Sequence, residues 1–227
     1  MSDRTVGEIV AENPSQARVF QSFAIDFCCQ GGRTLREACT LKGINLQSVI
    51  EQLEAANAGA SVSENNPALL PPLELIEHIV SKHHAYLRSD LPRIHAMSER
   101  VAKVHGGHTP SLVELFEVFR TMAEELDSHM VKEEQILFPA IQALCAGGAS
   151  VMPLDGPVAV MLQEHDDAGG ALARMRELTN GFTAPPEACN TYRALFAGLV
   201  ELEEDLHRHI HLENSVLFPP LALSKAG

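Results

Sequence analysis

His129-Met-Val-Lys-Glu133-Glu-Gln-Ile-Leu-Phe-Pro139 and His209-Ile-His-Leu-Glu213-Asn-Ser-Val-Leu-Phe-Pro219 are two versions of one segment, with His, Glu, Leu, Phe and Pro coinciding at a constant offset of 80. In each, His and Glu stand four residues apart, which on an α-helix places both side chains on one face about 6 Å from each other. The flanking apolar residues alternate steps of three and four: Leu112, Leu115, Phe119, Met122 and Leu126 lead into His129, and Ile136 and Ala140 follow Glu133. The second copy runs through Leu195, Leu199, Leu202 and Leu206 into His209 and Glu213, then Val216. Such a stripe is the core-facing seam of a bundled helix. An imidazole and a carboxylate therefore occupy core positions, which is costly unless they are paired or bind a metal.

Two further helical patterns supply partners for that layer. One carries Val158, Met161, His165, Ala168, Leu172 and Met175 in its seam. The other carries Val80, Leu87, Ile94 and Val101, a register that selects His84 over its neighbour His83. His84 precedes His129 by 45 residues and His165 precedes His209 by 44, so each half supplies the same three groups. The four patterns are punctuated by Gly106-Gly107-His108-Thr109-Pro110, by Gly147-Gly148 through Pro157, and by Asn180-Gly181 through Pro186. Breaks this short join antiparallel neighbours, so the expected fold is all-α, with an up-down-up-down four-helix bundle over residues 73–227.

Upstream, residues 1–57 read as a small helical domain. Thr5 with Glu8 and Thr34 with Glu37 fit capping boxes, and Asn13-Pro14 places a cap before a proline suited to a first turn. Residues 58–72, small, polar and broken by proline, read as a linker.

Composition sets the outer limits. Of 227 residues, 45% are hydrophobic and 21% charged, which fits a globular protein that buries a sizeable core. Thirty acidic against seventeen basic side chains give a net charge of −13, which argues against nucleic acid or an anionic membrane as partner. The polar N-terminus and the absence of any span-length apolar run predict a cytoplasmic protein. Five cysteines, with Cys28 and Cys29 adjacent, predict reduced thiols and no disulfide framework.

The expected metal ligands are His84, His129, Glu133, His165, His209 and Glu213. Four imidazoles and two carboxylates, without seam cysteine, suit iron and argue against structural zinc. Two ions roughly 3.5–4 Å apart, bridged by Glu133 and Glu213 and by an oxo or hydroxo group, account for six ligands and leave open positions for a small molecule. Ferritin-like centres use Glu-x-x-His with four glutamates, whereas here His precedes Glu by four.

These residues resemble the hemerythrin-like di-iron proteins and, within them, the YtfE/ScdA/DnrN group of repair of iron centres proteins. The resemblance rests on Asp26-Phe27-Cys28-Cys29-Gln30-Gly31-Gly32, Ser128 through Pro139, Glu164-His165-Asp166, Pro185 through Cys189, and His209 through Pro219. It implies a non-haem di-iron centre that helps restore iron-sulfur clusters after nitrosative or oxidative damage, by donating iron, removing nitric oxide, or both. Implied partners are nitric oxide or oxygen, damaged iron-sulfur proteins, an electron donor, and a second copy in a homodimer. Two activities stay open: turnover of nitric oxide to nitrous oxide, and a hemerythrin-like carrier that binds nitric oxide or oxygen without turnover. Glu125 and Glu164, beside ligand histidines, are candidates for supporting contacts or a proton path. Cys28 and Cys29, with Arg33 and Arg36 nearby, are candidate redox thiols of lowered pKa that pass electrons, contact iron or receive a damaged cluster, or filling for a small core. His207 and His211 lie off the seam and are expected on a solvated face.

Overall fold

The computed structural model describes residues 1–58, 66–147 and 153–223. The central parts of the expected linker and of the 147–157 break, and the last four residues of the expected bundle, lie outside them. The described residues are helical, with no strand among them; one isolated bridge joins Thr5 and Thr34. They divide into two compact units, one formed by the described residues of Met1–Glu77 and His207–Gly227, the other by His78–Leu206.

The first unit opens with helices α1 (Val6–Glu12), α2 (Ala17–Ser22), α3 (Leu35–Lys42) and α4 (Leu46–Ala58), followed by α5 (Pro72–His78). Both capping boxes form: Thr5 and Thr34 each accept from the backbone of the glutamate three residues on, and each glutamate reaches back to the cap. Such caps contribute on the order of 1 kcal/mol each. Asn13 caps the short turn that begins at Pro14. Val6, Val10, Phe20, Phe27, Leu35, Val49 and Leu53 close the core.

The second unit is a bundle of α6 (Ala85–His105), α7 (Ser111–Lys132) with its extension α8 (Phe138–Cys145), α9 (Asp155–Leu178), and α10 (Asn190–Leu212) up to Leu206. Leu87, Ile94, Leu115, Phe119, Leu172, Met175, Leu195 and Leu199 share one core, so the sequence seams face each other. A final short helix, α11 (Pro219–Leu223), follows α10.

Three wide π-turns interrupt this regularity, at Ile79–His84, Glu133–Leu137 and Glu213–Leu217. Phe138 and Phe218 donate their N–H to the carbonyls of Glu133 and Glu213, five residues back. In the last two cases a proline stands two residues after the turn, and in a regular helix its ring would clash with the carbonyl four residues before it. Widening the preceding turn removes the conflict. An extra residue also advances the helix by about 100°. The seam therefore shifts by one place: Leu137 is buried where Ile136 was expected, and Ile136 is 50% exposed. Likewise Leu217 replaces Val216, and Ile79 replaces Val80.

Candidate metal centre

Each π-turn begins or ends on an expected ligand, and π-turns of this kind recur at functional sites. In the bundle, His84 closes the first turn and Glu133 opens the second. Glu133 is wholly buried, and neither of its oxygens accepts a hydrogen bond. His84 Nε2 lies 3.2 Å and His129 Nε2 3.3 Å from Glu133 Oε2. His165 Nε2 is 3.2 Å from His129 Nε2. His129, Glu133 and His165 thus each offer a ligand atom within 4.8 Å of the others. A buried carboxylate without a donor costs several kcal/mol; a cation between these atoms removes that cost.

The far sides of the rings fix their orientation. His84 Nδ1 is 2.6 Å from Glu134 Oε1, and Glu134 is itself held by Arg88 Nη2 at 2.8 and 2.9 Å. His129 Nδ1 is 2.8 Å from Glu164 Oε2, and Lys132 binds the same carboxylate. With Nδ1–H donated outward, each ring turns its Nε2 lone pair toward Glu133, the arrangement that metal-binding histidines adopt. Burial pushes the pKa of Glu134 up, but the Arg88 and His84 contacts outweigh it and hold the carboxyl below its ordinary range. Glu164 follows the same pattern, with burial outweighed by Lys132 and His129.

A cavity of about 230 Å³ opens beside His129 and His165 and is bordered by Glu125, Lys132, Glu164 and Asp167. Glu125 is exposed at this rim, whereas Glu164 touches a ligand ring directly. Glu134, Arg88 and Lys132 have no signal in the sequence beyond their charge, because their partners lie up to 50 residues away.

In the first unit, His209 Nε2 lies 3.2 Å from Glu213 Oε1, and both residues are buried. His207 and His211 are not on a solvated face. Their rings meet the edge of Phe27 at centroid distances of 5.9 and 5.7 Å, and burial lowers the His211 pKa to about 4. The partner comes from the N-terminal segment, which helix phase alone could not reveal. At Cys28 the expected lowering of pKa is reversed: the Cys29 thiol, burial and the Asp26 carboxylate all raise it.

A helical bundle with imidazoles and a carboxylate converging in its core defines a cation-binding helical protein. Residues 75–221 match the model of the Hemerythrin HHE cation binding domain, and residues 2–57 match ScdA_N, a domain of unknown function. The chain is similar to the iron-sulfur cluster repair protein YtfE of Citrobacter koseri, 38% identical over 218 residues and 96% of each chain. Against the protein of that name from Escherichia coli O157:H7 the figures are the same, and against that of Cronobacter sakazakii identity is 40% over 217 residues, covering 96% of this chain and 95% of the relative. The chain belongs to this YtfE family of hemerythrin-type cation-binding proteins. No helix among the described residues is long and apolar enough to cross a membrane.

Proposed function

We propose that His84, His129, Glu133, His165, His209 and Glu213 together hold two iron ions, and that the protein repairs iron-sulfur clusters damaged by nitrosative or oxidative stress. The observation that carries this reading is Glu133: a fully buried carboxylate that accepts no hydrogen bond, approached by two imidazole Nε2 atoms whose Nδ1 atoms face carboxylates. The repeat at offset 80 supports His209 and Glu213 as the matching half. The names of the relatives support cluster repair.

Bound iron supplies redox change and open positions for a diatomic ligand. The chain's own part is to keep both histidines in the tautomer that ligates, through Glu134 and Glu164, and to admit nitric oxide or oxygen by the cavity beside His129. In this reading Glu164, bound to Lys132 beside that cavity, and Glu125 at its rim form the proton path. In this reading residues 1–57 form a separate module, 58–72 a linker and 73–227 the di-iron bundle. An electron donor feeds the centre, with Cys28 and Cys29 as candidate redox thiols when they hold no cation. The protein works in the cytoplasm, as a homodimer, on damaged iron-sulfur proteins as clients.

Metal analysis and EPR of protein from iron-supplied cells test the centre. About two irons per chain, as a two-metal site requires, with a mixed-valence signal on partial reduction, is expected; zinc alone, or no stoichiometric metal after anaerobic iron reconstitution, would overturn it. Exposure to nitric oxide with a reductant then separates the activities. Nitrous oxide in excess of protein marks turnover, a stable nitrosyl adduct marks a scavenger, and recovery of a damaged cluster enzyme without either marks iron donation.

A further inference from the structure

Outside the expected ligand set, a second group of side chains has ligand geometry of its own. In the loop between α2 and α3, Asp26, Cys28 and Cys29 each offer one ligand atom, all within 4.8 Å of one another. The two sulfurs are 3.7 Å apart, and Cys28 Sγ is 3.2 Å from Asp26 Oδ1. With metal–sulfur bonds of about 2.3 Å, that sulfur separation corresponds to an angle of roughly 107° at the metal, close to tetrahedral. A metal–oxygen bond of about 2.1 Å makes the oxygen–metal–sulfur angle roughly 93°.

The loop is held in this shape from several sides. Asp26 Oδ1 accepts the backbone N–H groups of Cys28 and Cys29 at 3.0 and 2.9 Å, and Asn214 Nδ2 donates to Cys28 O at 3.2 Å. The Gly31 carbonyl accepts from Gly7 N at 2.9 Å, and a side chain at Gly31 would meet Phe27 O at 2.6 Å, so the loop closes only with glycine there. Adjacent side chains usually diverge, yet here both sulfurs and the carboxylate converge without rearrangement. Cys28 is buried, while Asp26 and Cys29 are half-buried and leave one side of the group toward solvent.

We propose that Asp26, Cys28 and Cys29 form a mononuclear tetrahedral site for a borderline-soft divalent cation of the zinc(II) or iron(II) class, with its fourth position open to solvent or to a thiolate of another molecule. A closed structural site supplies four protein ligands, whereas three leave a fourth position for water or an incoming ligand. Binding involves no redox change: the cation replaces the two thiol protons, which leave to water. In the empty loop, the Cys29 thiol, burial and the Asp26 charge hold Cys28 protonated; a cation reverses those terms.

Anaerobic titration of the iron-loaded, full-length protein with Co(II) as the probe tests the site. The expected result is a sulfur-to-cobalt charge-transfer band with intense tetrahedral visible bands, saturating at one equivalent. Cys29→Ser and Asp26→Asn each weaken Co(II) binding by more than about tenfold, and Cys189→Ser leaves it unchanged. Cys29 is only half-buried, so Cys29→Ser tests the site even where Cys28→Ser disturbs folding. Displacement of Co(II) by Zn(II) or by Fe(II) assigns the cation. Absence of the charge-transfer band, weak octahedral bands, or a band that survives Cys29→Ser overturns the proposal. The mixed-valence EPR signal of the same samples on partial reduction reports the imidazole centre separately, so the two readings fail independently.

Discussion

The two copies of the repeat agree on their inner side and part on their outer side. In both, a buried histidine and a buried glutamate lie within 3.3 Å, and a π-turn starts at the glutamate. The residue after each glutamate differs. Glu134 follows Glu133 and reaches His84 and Arg88, so the first copy invests its outer contacts in orienting a buried imidazole. Asn214 follows Glu213 and donates to the Cys28 carbonyl, and Ser215 sits where a side chain on Gly7 would collide with it at 2.5 Å. The second copy therefore invests its outer contacts in the cysteine loop. The repeat keeps the histidine–glutamate pair and turns the surrounding positions to different tasks.

The strongest challenge to inner equivalence is removal of each glutamate. Glu133→Ala and Glu213→Ala should each abolish retention of a full iron complement, measured as iron per chain after gel filtration. If one variant kept its iron while the other lost all of it, the copies would not be equivalent ligand sets.

A second large effect tests the π-turn. Leu137→Ala removes a buried side chain and should cost about 2–5 kcal/mol of unfolding free energy, whereas the exposed Ile136→Ala should stay within about 0.5 kcal/mol. Denaturant midpoints decide it. The original seam, continued at steps of three and four, gives the opposite order.

That contrast also marks how far the sequence could be read. The bundle, its seams and the histidine–glutamate spacing are legible because helical periodicity fixes which residues face inward, and His84, His129, His165 and His209 all prove buried. The π-turns leave only an indirect trace, the proline shortly after two of them, and the seam slips by one place across each. His211 was misread for a different reason: periodicity reports which side of a helix a residue occupies, not that Phe27 covers that side. The raised Cys28 pKa depends on where Asp26 and Cys29 point, and the nearby arginines gave the opposite sign.

Outer asymmetry predicts intermediate effects on metal. Glu134→Gln and Glu164→Gln remove the charge that orients His84 and His129 and should weaken iron affinity about 10- to 100-fold, read by competition with a chelator. An amide keeps the shape, so the loss reports orientation and charge. Unchanged affinity in both variants would mean that Glu133 and the backbone alone fix the rings.

The smallest effect belongs to Asn214. Its hydrogen bond to the Cys28 carbonyl is 3.2 Å long and neutral, so losing it in Asn214→Ala should cost about 0.5–1.5 kcal/mol of stability. The bond ties the loop, not a ligand imidazole, so iron affinity should not move. The loop should instead open more often and expose the buried Cys28 sulfur. Peptide-resolved alkylation therefore ought to speed up at Cys28 and stay constant at the exposed Cys145, which serves as the internal reference. Iron loss with unchanged alkylation would reverse the assignment, making Asn214 a support of Glu213 and the two copies alike on both sides.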